Sequence, residues 1–272
     1  MLWRMQSMSE VISSADHRIV IVDVGASGGL QEKWAKQPGL IRPVLFEPNA
    51  IEAEQLRGSL SHIPGALVIE RGLSSRAGEF ELTIGRHYGC TSLLKADPDM
   101  LAGYSIAPLY EATGTAQVRC DRYDTLYSQG EVPAPDVIKL DVEGYEYEIL
   151  LGFGGLLDQC LGIEVEAWLT PIYRNTKLLH ELIDYLRRFG FVLRRFDPVN
   201  AFDGDLILGD AFFTLNRARA DSLDPDRKRK FQTLLKTWNL SEYSAENETH
   251  GPASKRRAKR LKRLLSAVRR RL

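Results

Sequence analysis

Ile19-Val-Ile-Val-Asp-Val-Gly-Ala-Ser-Gly-Gly-Leu30 decides the fold of this chain. Five of its first six residues are Ile or Val. A run of that kind, without polar alternation, suits a strand buried on both faces of a parallel sheet. Gly25, Gly28 and Gly29 follow at once. Glycine tolerates positive φ and lets backbone approach a ligand closely. A buried strand that ends in a glycine turn and runs into a helix is how α/β folds build nucleotide sites.

Outward from this stretch, strand and helix signals alternate. Gln31 to Lys36 starts a helix that Pro38-Gly39 ends. Pro43-Val-Leu-Phe-Glu-Pro48 reads as a second buried strand with Glu47 at its carboxyl end. Asn49 is an N-cap type, and Ala50 to Leu60 is a helical run. Ala66 to Glu70 is a third strand, and Phe80 to Ile84 alternates after an Ala77-Gly78 turn. Residues 85–130 read as a loop-rich excursion, the kind of insertion that carries function. Asp136 to Val142 is another buried strand, with a helix expected from Glu143 onward. Leu161 to Ala167 is a strand. Thr176 to Phe189 is an amphipathic helix closed by Gly190, and Phe191 to Phe196 and Ala211 to Leu215 form a last strand pair. The alternation from 19 to about 170 argues a doubly wound, mostly parallel α/β sheet.

Composition narrows the class. The 272 residues contain 44% hydrophobic side chains, enough for a full core. No run of eighteen apolar residues and no secretory signal stand out, and Cys90, Cys120 and Cys160 form no C-x-x-C pair. A reducing cytoplasm is the expected location. The formal net charge of zero conceals a split. Gly251 to Leu272 holds ten Lys or Arg and no acid, which leaves 26 basic against 36 acidic side chains before it.

The glycine loop reads G-x-x-G-G. It is neither the dinucleotide G-x-G-x-x-G nor a P-loop. Asp23 would repel phosphate at the strand end, but suits an ammonium group or a role in orienting the loop. Glu47, about twenty residues past the loop, is placed to accept both ribose hydroxyls. A glycine turn with an acid ending the second strand fits a nicotinamide cofactor or S-adenosylmethionine. The absent pyrophosphate pattern favours the sulfonium cofactor.

Three further motifs stand in order: Phe46-Glu-Pro-Asn49, Ile138-Lys-Leu-Asp-Val-Glu-Gly-Tyr-Glu146, and Ile163-Glu-Val-Glu166. With Asp23-Val-Gly-Ala-Ser-Gly-Gly29, Gly89-Cys-Thr-Ser-Leu-Leu94, Arg122-Tyr-Asp124 and Pro171-Ile-Tyr173, the chain resembles the FkbM family of S-adenosylmethionine-dependent methyltransferases. The likeness covers about 19–215. It implies a class I methyltransferase fold, Rossmann-like, with an antiparallel last strand pair. It implies that Gly25, Ala26, Ser27 and Gly29, with Asp23 beside them, wrap the methionine part of the cofactor. Glu47 would hold the ribose, next to Pro48 and Asn49. Leu73 and Ser74 would flank the adenine, and Asp141 to Glu143 would face the reacting centre. Tyr145 departs from the pattern, standing where the family carries a small residue, and narrows the mouth of the acceptor cleft.

The implied activity is O-methylation of a sugar or related hydroxyl, on a glycan, lipid-linked saccharide or small molecule. A hydroxyl is a poor nucleophile until its proton leaves, so a general base is expected among Asp141, Glu143 and His87. Ser92 and Asp124 are expected near the cofactor. No metal is assigned, although Asp141 with Glu164 or Glu166 would set carboxylates on adjacent strand ends. The division expected is a lead-in (1–18), a methyltransferase domain (19–215), a helical and flexible extension (216–250) and a basic tail (251–272). In the tail, Ala258, Leu261, Leu265, Val268 and Leu272 recur at +3 and +4, an amphipathic basic helix suited to peripheral contact with an anionic membrane through 254–272. Nucleic acid is disfavoured, because the tail has no aromatic residue to stack on bases. The rival reading is a catalytically silent relative recruited through that tail.

Overall fold

The computed structural model describes residues 17–243. The lead-in expected over 1–18 falls almost wholly outside them, as does the whole basic tail.

The strands are β1 (Ile19–Val24), β2 (Ile41–Phe46), β3 (Leu67–Ile69), β4 (Gly72–Leu73), β5 (Gly78–Gly85), β6 (Ala112–Asp121), β7 (Val137–Leu140), β8 (Gly162–Trp168), β9 (Phe191–Pro198) and β10 (Leu208–Leu215). The helices are α1 (Glu32–Ala35), α2 (Ala50–Leu60), α3 (Pro98–Leu101), α4 (Tyr123–Ser128), α5 (Glu146–Phe153), α6 (Leu179–Arg187), α7 (Arg217–Asp221) and α8 (Pro225–Thr237). The main sheet has seven strands in the order β3-β2-β1-β7-β8-β10-β9. The first five are parallel to their neighbours, and β10 runs antiparallel between β8 and β9. That order is the class I methyltransferase arrangement expected above.

The chain leaves β1 toward β2 and β3 on one side and returns to β7 on the other. The carboxyl ends of β1 and β7 therefore flank the switch point where open α/β sheets bind ligands. Both central strands are mostly apolar, with Ile21, Val22, Val137, Ile138 and Leu140 almost wholly buried around the paired Asp23 and Lys139. Fully burying each such side chain contributes about 1.5–3 kcal/mol, so the switch point rests on the most stable part of the sheet.

Two expectations are corrected. Residues 85–130 are not a structureless excursion. They contain the ten-residue β6, which pairs with β5 and β4 in a second, three-stranded sheet. The strand escaped notice because its first half, Ala112 to Gln117, is largely exposed and carries little apolar signal. The helix after β7 begins at Glu146, not Glu143, because Glu143 and Gly144 adopt positive φ of 58° and 96° and form a separate turn. Residues 216–243 carry the helices α7 and α8. Phe231, Leu234, Leu235 and Trp238 are buried in the main core, with Trp238 edge-on to Phe212. Among the described residues no helix is long and apolar enough to cross a membrane.

Candidate functional site

A cavity of about 410 Å³ opens at the switch point. Its first wall comes from the ends of β1 and β2. Gly25 closes β1 at φ 78°, and a Cβ there would stand 2.0 Å from the backbone oxygen of Asp141. Only glycine allows β1 and β7 to end this close together. Ser27, in the turn that follows, donates to Glu52 Oε2 at 3.1 Å. Glu47, just past β2, is 2% exposed and lines the cavity with Pro48. Its Oε1 accepts the Asn49 backbone N–H at 2.8 Å, and burial pushes its carboxyl above the ordinary range. Asn49 itself turns away: its Oδ1 caps α2, accepting from the backbone N–H groups of Ile51 and Glu52.

The floor is apolar. Leu73, Leu82, Val118, Cys120 and Ile149 come from the small sheet and α5. Tyr145 borders it, sharing a hydrogen bond of 2.9 Å with the buried Ser74 hydroxyl. Tyr145 lines the cavity, and Ser74, which does not, shares its hydrogen bond. Segment 87–93 forms the rim. His87 is exposed, its Nδ1 accepting the Gly89 N–H at 3.1 Å. Tyr88 extends its hydroxyl to Ser27, and burial, with Glu47 nearby, pushes that hydroxyl up to about 12.

The opposite wall is acidic. Asp141 and Glu143 line the cavity after β7. Lys139 stands between Asp141 (3.3 Å) and Asp23 (3.2 Å). Burial pushes Asp23 up to about 6 against the pull of Lys139. Burial works against the Lys139 ammonium too, but Asp23 and Asp141 together raise its pKa. Glu143 takes a hydrogen bond from the Tyr173 hydroxyl at 2.9 Å and, at its backbone oxygen, one from Ser92 at 2.7 Å. Burial pushes the Glu143 carboxyl up to about 8. Glu166, on β8, is raised well above the usual range by burial and then by Glu143 beside it. Glu164 points elsewhere, held by Lys33 at 2.6 Å and Gln31 at 3.1 Å.

The structure thus brings Gly25, Ser27, Glu47, Pro48, Leu73, His87, Asp141 and Glu143 to one cavity. Asp23, Ala26, Gly29, Asn49 and Ser74 support it from behind and do not line it. Asp124 is corrected: it neither lines the cavity nor caps α4, but pairs with Arg122. Sequence reasoning missed Tyr88 and the contact of Tyr173 with Glu143. Tyr173 lay in a motif already noted, but nothing local to it announced a partner thirty residues away.

These features define a class I methyltransferase site. Residues 23–193 match the Methyltransferase FkbM domain, and the chain belongs to that family. It is 25% identical over 193 residues to the hexuronic acid methyltransferase AglP of Haloferax volcanii, covering 68% of this chain and 74% of that protein. Among solved structures it is similar to a magnesium protoporphyrin IX methyltransferase from Synechocystis PCC 6803 (8% identity, TM-score 0.41, 77% of this chain and 76% of that one). It is also similar to a precorrin-6y C5,15-methyltransferase from Geobacter metallireducens (12% identity, TM-score 0.37, 73% and 81%). The chain is a methyltransferase whose cofactor is S-adenosylmethionine. The residues fit that cofactor: the close approach at Gly25 leaves room along the β1 turn, and Glu47 offers a buried acceptor at the second strand end.

Proposed function

We propose that the enzyme methylates a hydroxyl of a sugar or saccharide-like acceptor. The observation that carries this reading is the composition of the cavity wall: among the described residues it presents Glu47, Asp141 and Glu143 and contains no Lys or Arg. An amine facing Asp141 and Glu143 would be held as an ammonium, with no lone pair for attack. A hydroxyl there donates to a carboxylate and gains nucleophilicity as its proton moves. The name of the Haloferax relative, a hexuronic acid methyltransferase, supports a sugar as the acceptor class.

The cofactor, when bound, supplies an activated methyl group. The protein's own residues do the rest. Gly25 and Ser27 shape one end of the cavity, and Glu47 accepts hydroxyl donors. Tyr88 and Leu93 border the mouth. Asp141, which lines the cavity with Lys139 3.3 Å from its Oδ2, is the group that receives the acceptor's proton, at a carboxylate oxygen. Positioning of this kind, rather than covalent chemistry, supplies most of the acceleration in such displacements. Calorimetry with S-adenosylmethionine, followed by labelled-methyl transfer to saccharide acceptors and mass spectrometry, tests the reading. Binding with label on a sugar oxygen is expected, and label found only on nitrogen overturns it.

A further inference from the structure

On the acidic wall, one oxygen from each of Asp141, Glu143 and Glu166 lies within 4.8 Å of the other two. A hard divalent cation holds carboxylate oxygens at about 2.0–2.6 Å, so ligands on opposite sides of it stand roughly 4–5 Å apart. The span of the three carboxylates suits a single ion. Asp141 and Glu143 also line the cavity, so an ion between the three would meet the acceptor.

Crowded acids alone do not make a site. Glu166 supplies a separate observation. The residue is partly exposed, but its Oε2 is shut off from solvent and accepts no hydrogen bond. A buried polar atom left without a partner is costly and rare. Three neighbouring acids have a charged or N–H partner: Glu164 has Lys33, Asp23 has an ion pair with Lys139, and Glu146 has the backbone N–H groups of Val142 and Gly144. Among the described residues no Lys, Arg or His forms an ion pair with Glu143 or Glu166. Among the described residues the cation that pairs with the cluster is Lys139, at Asp141. The polypeptide compensates the acids around the cluster and leaves the cluster itself short of positive charge.

We propose that Asp141, Glu143 and Glu166 bind a divalent cation of the oxygen-seeking class, such as Mg²⁺ or Mn²⁺, with water or an acceptor oxygen completing its shell. Lys139 fits this arrangement, because it holds one carboxylate of Asp141 in place while a second oxygen stays available. The cation changes the character of the wall: acceptor hydroxyls, and acidic sugar oxygens that bare carboxylates would repel, become ligands. The cation site stands on the carboxylates. Its use toward an acceptor rests on the methyl-transfer reading above.

Mn²⁺ titration of the full chain, followed by the electron paramagnetic resonance signal of the free ion, tests it. The wild type takes up one equivalent. Glu166→Gln keeps the shape, removes one ligand charge and weakens binding about tenfold or more. Asp184→Asn, a surface acid on α6, leaves binding unchanged. Circular dichroism should show Glu166→Gln folded, since it relieves a buried like charge; Glu143→Gln serves as the second probe. Absence of a saturable equivalent in the wild type, or equal affinity in the wild type and both Gln variants, overturns the site. Calorimetry with S-adenosylmethionine in chelator separates the two readings. Cofactor binding without Mn²⁺ binding defeats the cation site alone. Mn²⁺ binding without cofactor binding defeats the methyl-transfer reading alone.

Discussion

The β1–β2 wall and the β7–β8 wall of the cavity both hold buried carboxylates, but they are stabilised over very different distances in the chain. Glu47 takes its hydrogen bond from Asn49, two residues on, and Asn49 caps the helix that starts beside it. Glu143 relies on Tyr173, thirty residues away, and on Ser92, fifty-one residues away. Glu164, on the same side of the sheet order but not lining the cavity, relies on Lys33, 131 residues away. The first wall is built by a short piece of chain and repeats wherever that piece recurs. The second exists only after the whole sheet has closed.

The largest effect expected comes where the two walls touch. Gly25→Ala sets a Cβ against the Asp141 backbone oxygen and forces alanine to φ 78°. The strand ends must separate, so both walls fail together. Cofactor affinity measured by calorimetry should fall by more than about 100-fold, equivalent to about 2.7 kcal/mol, with methyl transfer lost. Retained affinity would show that the contact of β1 with β7 is not needed to shape the cofactor end.

Lys139→Met attacks the assembled wall alone. It removes the counter-ion of Asp23, which is 1% exposed. Breaking a buried pair at one partner costs about 3–5 kcal/mol. Burial raises the Asp23 pKa from 3.8 to about 6 in the folded protein. The folded state therefore holds this proton more tightly than the unfolded chain. Stability withdrawn by Asp23 grows as pH rises from about 4 to about 6 and is complete above that. Without Lys139 the Asp23 pKa rises further, so the deficit of Lys139→Met in urea melts should be small at pH 4, where Asp23 is protonated in both proteins, and should grow as pH rises above about 6. An equal deficit in both pH ranges would mean that Lys139 acts through its aliphatic stem rather than its charge.

The same contrast explains what could be read before the structure. Strand β1, Glu47, Asn49 and helix α2 were legible residue by residue, because hydrophobic runs, glycine turns and N-caps are local signals. Strand β6 was not, since its exposed first half lacks the alternation that marks a half-buried strand. Glu143 was misplaced into a helix because positive φ at a non-glycine residue leaves no trace in the sequence. The pairing of Glu164 with Lys33, and of Tyr173 with Glu143, depends on strand order. No window of the sequence contains it.

Glu47→Ala addresses the local wall alone. Loss of a buried, charged acceptor should weaken cofactor binding by about 10–100-fold, or about 1.4–2.7 kcal/mol. Thermal stability should hold or rise slightly, because burial already disfavours the carboxylate. Glu47→Gln, which retains one acceptor oxygen, should fall between the two in calorimetry. Unchanged affinity in both variants would remove Glu47 from the cofactor contact.

Asn49→Ala is the finest test of the division. The side chain is exposed, does not line the cavity, and serves the first turn of α2 through Oδ1 contacts of 3.0 and 3.3 Å. Removing an N-cap costs about 1 kcal/mol. The hydrogen bond to Glu47 comes from the backbone of Asn49, so alanine preserves it. Urea melts should register the lost cap, while cofactor affinity shifts by less than about threefold, under 1 kcal/mol. An affinity loss close to that of Glu47→Ala would place the Asn49 side chain against the ligand. The local wall would then hold its cofactor through a residue that, without ligand, is turned toward its own helix.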